Sequence, residues 1–411
     1  MSILLYRTIW LLASPIVLLW SLQQMIVRRG GLTYLSERFG LRSATGGRPT
    51  PIWFHAASVG EMRLLAPLVD VQREKGVLIT CNTPEAHRLA RSIWGDTVTV
   101  RYCPLDYRLC IKRFISRHRP SIIFVVETEI WPELYQQCHH HGIAIYIVNG
   151  RISDTTFCST LARQWIYPPA LERVTAVWAR EPEDAKRFIE MGCAPDKTHT
   201  TGSIKMTRRI HTDTPKNPLP NRSFTLAIST HPGEEEMLAE IWRGTSKADL
   251  LVLIPRHPSR TPAIVRALSA QGLKVASTPL PADTFADSDI LVVDTVGEVD
   301  AYCAHAKFVF VGGSMTDTGG HNVFEPASWG KPIIVGPHTQ NFATEVEYLA
   351  TKDAISVVET TEELRECWRA HTHDDTFRQQ REHCTQEAHA ALPDKIGDYV
   401  DLVDQAVRTR V

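Results

Sequence analysis

The stretch PIWFHAASVGEMRLLAPLVDV, residues 51–71, changes character twice. Residues 51–56 form an apolar, β-rich run. Residues 56–60 are small residues around one Val, and an amphipathic segment then begins at Glu61. This order reads as a buried strand, a tight turn and a helix, the repeating step of a parallel sheet with helices on both faces. Small residues let the chain turn sharply and leave room for a ligand at the backbone. Gly60 is free to take a positive φ. Glu61 is placed at the mouth of the helix, either as a capping carboxylate favoured by the helix dipole or as a proton acceptor in a site. The dipole argument predicts that it stays ionised.

Working outward, the same alternation recurs. Apolar runs at 77–82, 97–102, 121–128, 143–149 and 176–181 are separated by amphipathic segments. It stops at HTDTPKNPLPNRS (211–223), which is rich in Pro and Asn and reads as a linker. It restarts with runs at 224–230, 249–258, 273–277, 289–295, 307–313, 332–337 and 354–360, and the last fifty or so residues look helical and polar. The prediction is an α/β protein with two doubly wound, Rossmann-like domains facing a cleft. Its parts are an N-terminal anchor (1–28), a first domain (29–210), the linker (211–223) and a second domain (224–411). In such sheets ligands bind beyond the carboxyl ends of the strands.

Composition narrows the function classes. The chain has 411 residues, 43% hydrophobic and 22% charged, with a formal net charge of −1. That is globular and gives no global field for nucleic acid. The charge is local: Arg7, Arg28, Arg29, Arg38, Arg42 and Arg48 stand against Glu37 alone in the first 50 residues. The nine cysteines are dispersed without a CxxC spacing, as expected of free thiols in a reducing compartment. Residues 3–20, ILLYRTIWLLASPIVLLW, are apolar except for Arg7, Thr8 and Ser14. With Arg28 and Arg29 just after, this segment reads as a membrane attachment, spanning or lying in one leaflet, that keeps the rest of the chain on the cytoplasmic side.

The residues after each strand carry the chemistry. ETEIWPE (127–133) puts Glu127 and Glu129 on one face of an extended chain. They are either paired with a neighbouring Arg or functional. STHPGEEE (229–236) offers backbone N–H groups to an anion at a helix start, and PRHPSR (255–260) places Arg256 and His257 directly after a strand. In VGGSMTDTGGHNVFEPASWGKP (311–332), Gly312, Gly313, Gly319 and Gly320 lead to a helix expected near His321 and Asn322, with Glu325 in its first turn. Such a loop can bring a phosphate to the backbone and a carboxylate to ribose hydroxyls. It is not a GxGxxG fingerprint. HHH (139–141) and HTHDD (371–375) lack a second ligand set at metal spacing, so no metal and no cofactor is expected. The residues alone reach as far as a nucleotide-sugar transferase.

FHAASVGE, VVETEIWPEL, NGRIS (149–153), TGSIK (201–205), STHPGEEE, IPRHPSR and GGHNVFEPASWGKPIIVGPHTQNF (319–342) together resemble the Kdo transferases, the 3-deoxy-D-manno-octulosonic acid transferases of lipopolysaccharide assembly. The resemblance spans nearly the whole chain. It implies a GT-B fold and inverting, metal-independent transfer of Kdo from CMP-Kdo to a lipid A precursor (lipid IVA) at the cytoplasmic face of the inner membrane. It implies Glu61 as general base, Glu127 as a second catalytic carboxylate, and Ser58, Gly60, Glu129 and Lys205 around the acceptor. On the donor side it implies Arg256, Gly312, Gly313, Gly320, Asn322 and Glu325, with Glu325 on the cytidine ribose and the helix start near Gly320 on the departing phosphate. TCNTPEAH (80–87) and NVFEP (322–326) depart from the family pattern. The alternatives are a GT-B transferase using a UDP-sugar, a nucleotide-sugar epimerase, and a membrane-bound binding protein without catalysis.

Overall fold

The computed structural model describes residues 3–27, 30–41, 50–209, 211, 213–245, 249–279, 287–295 and 297–411. Arg28, Arg29, Arg42 and Arg48, and the expected boundaries at 28 and 210, lie outside the described residues. The chain divides into two units: residues 1–207 together with 394–411, and residues 208–393.

The first unit holds strands β1 (Ile52–His55), β2 (Val77–Cys81), β3 (Thr99–Tyr102), β4 (Ile122–Val126), β5 (Ala144–Gly150), β6 (Ala176–Ala179) and β7 (Thr198–Thr200). They form one seven-stranded sheet in the order β3-β2-β1-β4-β5-β6-β7, and every pairing is parallel. The central strands are apolar throughout because both faces are covered. Ile52 and Phe54 of β1 pack into one core with Phe124 and Trp178, and Trp53 packs into the other with Ile123, Val125 and Tyr135. The order reverses between β1 and β4. The strand ends at this point therefore diverge around a crevice, which places Glu61, Glu127 and Glu129 together.

The second unit holds β8 (Phe224–Thr230), β9 (Leu250–Pro255), β10 (Val275–Ser277), β11 (Ile290–Val292), β12 (Val309–Val311), β13 (Ile333–Val335) and β14 (Ile355–Val357). Its sheet is also seven-stranded and parallel, in the order β10-β11-β9-β8-β12-β13-β14, with its reversal between β8 and β12.

Two boundaries differ from the sequence reading. The run 211–223 belongs to the second unit, and its described residues are irregular. The last helix, Lys395–Arg408, belongs to the first unit rather than to the second domain. Its Tyr399 and Val403 are buried in the core that holds Phe54, and the Tyr399 hydroxyl donates to the Gly202 carbonyl at 3.0 Å. The apolar stripe of this helix is visible in the sequence, but the stripe does not specify which sheet it covers.

The N-terminal helix runs from Ile3 to Val27, beyond the apolar segment read from sequence. The Arg7 guanidinium makes a bidentate pair with the fully buried Glu133 carboxylate, at 2.7 and 2.9 Å. Removing one partner from such a buried pair costs about 3 to 5 kcal/mol.

Candidate functional site

In the first unit the site is built at the ends of β1, β2 and β4. Ser58 caps the helix Val59–Gln72, its hydroxyl accepting from the Glu61 N–H at 3.3 Å. Glu61 answers reciprocally. Its Oε1 accepts from the Ser58 hydroxyl at 2.8 Å, and its Oε2 accepts from the Ala57 N–H at 2.7 Å. This is a capping box with the carboxylate turned back over the strand end. Burial pushes the Glu61 pKa up, the bonds from Ser58 and Ala57 pull it down, and the charges of Glu129 and Glu127 push it up again; the net shift is upward. Desolvation and like charge thus act against the helix dipole and leave the Glu61 pKa above its ordinary value. A poised carboxylate, partly buried and near two others, suits proton acceptance better than a mere cap.

Gly60 does not take the positive φ expected of it; it sits in the first turn of the helix. A Cβ there would meet only the Ser58 hydroxyl, at 3.9 Å. The glycine therefore leaves open space beside Glu61.

Glu127 and Glu129 follow β4. Glu127 holds a left-handed backbone, φ 56°, a conformation that costs about 1 to 3 kcal/mol for a residue with a side chain. Its N–H is tied to the Val148 carbonyl at 3.0 Å, and its carboxylate lies 3.6 Å from the Lys205 ammonium. Glu129 is held more tightly. Its Oε2 accepts from Asn82 Nδ2 and Trp131 Nε1, both at 2.9 Å, and lies 3.5 Å from His55 Nε2. Burial alone would raise the Glu129 pKa, but the bond and charge of His55, with the bonds from Trp131 and Asn82, hold it below the ordinary carboxylate value. Burial draws the His55 pKa down, yet the adjacent Cys103 and Glu129 lift it to about 10. So the two carboxylates near Glu61 each lie beside a basic side chain, and no ion pair of Glu61 is found among the described residues.

His55 and Asn82 were not singled out in the sequence. His55 lies within an apolar strand and Asn82 within the departure TCNTPEAH. Asn82 also accepts from the buried Arg38 at 3.0 Å, so Arg38, Asn82 and Glu129 form a chain of hydrogen bonds. Asn82→Ala is expected to lower turnover by about 10- to 150-fold, the worth of a bond to a charged group, about 1.5 to 3 kcal/mol. Melting temperature and steady-state rate measured together would check it. An unchanged rate would mean that Glu129 is positioned without Asn82.

In the second unit STHPGEEE does not hold an outside anion; it supplies one of its own to a nest of N–H groups built mostly by residues 313–315. The buried Glu234 carboxylate accepts from the N–H groups of His231, Gly313, Ser314 and Met315, at 2.8 to 3.2 Å. The Gly312 N–H goes to Ile228 and the Gly320 N–H to Gly313. The glycine N–H groups assigned to a phosphate are therefore spent within the protein. The glycines serve packing instead. A Cβ on Gly312 would come within 2.7 Å of the Ser229 carbonyl, and one on Gly313, at φ 68°, would press on His321 at 3.0 Å. The helix expected near His321 begins only at Phe324 and ends at Ala327, one turn whose dipole is small. Asn322 Oδ1 accepts from the Phe324 N–H at 3.0 Å, and Glu325 is half-buried in that turn.

What remains for an anion is the Arg256 guanidinium with a cluster of imidazoles. His231 Nε2 lies 2.8 Å from His321 Nε2 with the rings stacked, and His257 stands edge-on to His231 at 6.0 Å. Burial first, then the charges of Arg256, His231 and His257, depress the His321 pKa to about 4. His231 is lowered by burial and by His257, Arg260 and Arg256. Arg260 is neutralised by a bidentate pair with Glu235, at 2.8 and 3.0 Å. Arg256 is exposed and has no carboxylate partner among the described residues. A guanidinium beside imidazole N–H donors at the carboxyl ends of β8 and β9 is chemically suited to an anion such as a phosphate.

Residues 33–208 match the family model described as 3-deoxy-D-manno-octulosonic-acid transferase (kdotransferase). The chain is 30% identical over 370 residues to the 3-deoxy-D-manno-octulosonic acid transferase of Bordetella pertussis, covering 84% of each protein. It is 28% identical over 385 residues to the enzyme of that name from Haemophilus influenzae, covering 88% of each. Among solved structures it is similar in fold to a UDP-GlcNAc 2-epimerase from Neisseria meningitidis, with a TM-score of 0.56 and 11% identity over 87% of this chain and 99% of that one.

Proposed function

We propose a specific reaction for this chain, which belongs to the 3-deoxy-D-manno-octulosonic acid (Kdo) transferase family: inverting transfer of Kdo from CMP-Kdo to a hydroxyl of a lipid A precursor, lipid IVA, at the cytoplasmic face of the inner membrane. The observation that carries the reading is Glu61, a carboxylate of raised pKa at the end of a buried strand, with open space over Gly60 beside it. In the reaction, Glu61 takes the proton of the acceptor hydroxyl. The freed oxygen pair forms the new bond to the anomeric carbon of Kdo, on the face opposite the leaving group. The bond from that carbon to the phosphate oxygen breaks, and CMP departs with the electron pair.

Each unit has its task. Glu127, whose backbone strain is retained at the strand end, and Glu129 shape the acceptor and sugar pocket with Ser58 and Lys205. Lys205 near Glu127 offers a cation to the carboxylate of the sugar. On the donor side, the Arg256 charge and the N–H donors of His231, His257 and His321 hold the phosphate and favour its departure; preorganised donors of this kind are worth about 3 kcal/mol each. Asn322, just before the one-turn helix, and Glu325 within it are assigned to the nucleotide, Glu325 to its ribose.

Incubation with Kdo, CTP, the enzyme that couples them and a tetraacylated lipid A precursor is expected to give a product carrying labelled Kdo. The number of sugars added is read by mass. Competition by CMP but not UDP separates this donor from a UDP-sugar. Absence of product with CMP still bound would overturn the acceptor or the donor sugar and leave the nucleotide site standing.

A further inference from the structure

A lipid acceptor raises the question of how the N-terminal helix meets the membrane. The helix Ile3–Val27 has 25 residues and a mean hydropathy of 1.8 over its most apolar 18. At about 37 Å it is long enough to cross a hydrocarbon core of about 30 Å, so length does not distinguish crossing from lying flat.

Its contacts do. One face is fastened to the first unit along its length. Near the N-terminus, the Tyr6 hydroxyl donates to Asp106 at 2.6 Å and Arg7 pairs with the buried Glu133. In the middle, the Ser14 hydroxyl lies 2.9 Å from that of Tyr107, which also donates to the Trp10 carbonyl at 3.0 Å. Near the C-terminus, Ser21 and Gln24 are buried, and the Arg38 guanidinium lies 6.0 Å from the Trp20 ring. A helix held this way from its second turn to its last has the folded unit alongside it, where a crossing helix would have lipid. For it to cross, Asp106, Glu133 and Tyr107 would have to enter the hydrocarbon with it or lose their partners.

The other face is apolar and uncovered: Leu4, Leu12 and Ile16 are 68, 76 and 72% exposed. The only ionisable side chains of the segment, Tyr6 and Arg7, lie on the fastened face. Beside the fastening, Tyr107 opens the helix Arg108–His118, which carries Arg108, Lys112, Arg113 and Arg117 with no acidic residue. Arg108 and Lys112 are exposed. An apolar face next to a purely cationic helix is complementary to hydrocarbon beneath anionic headgroups.

We propose that the helix Ile3–Val27 lies in the plane of one leaflet of an anionic membrane, clasped to the first unit through Tyr6, Arg7 and Ser14, and does not cross the bilayer. This rests on the reading of the acceptor as a membrane lipid and specifies how the site is brought to it. The test uses the full chain with an epitope at its N-terminus, in sealed inverted inner-membrane vesicles that expose the cytoplasmic side. Protease added outside is expected to remove the epitope without detergent, because both ends lie on the same side. An epitope that survives until detergent is added would overturn the proposal in favour of a crossing helix. A chain that fails to sediment with the vesicles would overturn membrane attachment altogether. Neither result depends on transfer activity, which the labelled-Kdo assay reads separately with detergent-dispersed acceptor.

Discussion

Glu61→Gln is expected to lower Kdo transfer by about 10²- to 10⁴-fold, the usual contribution of a positioned general base, while CMP affinity stays unchanged. The substitution is close to isosteric. The Gln side-chain oxygen can still accept from Ala57 N–H or the Ser58 hydroxyl, so the cap at the start of the helix survives and the loss reports chemistry rather than folding. The pH dependence gives a second signature. The base must be ionised to accept the proton, and the Glu61 pKa is raised by burial and by the charges of Glu129 and Glu127. The rate should therefore climb with pH through a value above the ordinary carboxylate range and level off once Glu61 is ionised. In the Gln variant that limb should vanish along with the rate. Steady-state rates from pH 4 to 9, with CMP binding by calorimetry, check both. A variant that keeps most of its rate would reduce Glu61 to a helix cap.

The sheets were legible because each strand, buried on both faces, is a continuous apolar run. Every strand read from sequence is present. The one missed among the described residues, Thr198–Thr200, is the exposed edge of its sheet and has no apolar core pattern to betray it. The placement of the candidate residues was also legible: Glu61, Glu127, Glu129 and Arg256 all lie beyond the carboxyl ends of parallel strands. What each group binds was less so. STHPGEEE and the glycine loop each read as a site for an outside anion, but the first supplies the anion to the second: the Glu234 carboxylate takes the N–H groups of Gly313, Ser314 and Met315, 79 to 81 residues away. Local spacing cannot reveal a ligand supplied by another segment of the same chain. His55 was hidden for the opposite reason: a single polar residue in a buried strand reads as packing until the fold brings Glu129 beside it.

Arg256→Ala is expected to weaken CMP binding by about 10- to 150-fold, corresponding to about 1.5 to 3 kcal/mol for bonds to a charged phosphate. Arg256 is the cation of this cluster that no carboxylate offsets among the described residues, whereas Arg260 is committed to Glu235. Its effect extends through the histidines. In the free protein, burial and the charges of Arg256, His231 and His257 keep His321 at about 4, so it is neutral at pH 7. A bound phosphate reverses the sign of the local field and raises the pKa of His321 and of His231. A group whose pKa is higher in the complex than in the free protein takes up a proton on binding. CMP affinity should accordingly increase as pH falls through the pKa of His321 in the complex towards its free value of about 4. Calorimetry in buffers of different ionisation enthalpy counts that proton directly. With Arg256 removed, the free histidines are relieved of one repulsion and their pKa rises, so less of the proton uptake is left to binding and the pH slope should flatten as the affinity falls. Unchanged affinity in the Ala variant, with no proton taken up by the wild-type chain, would move the phosphate away from this cluster.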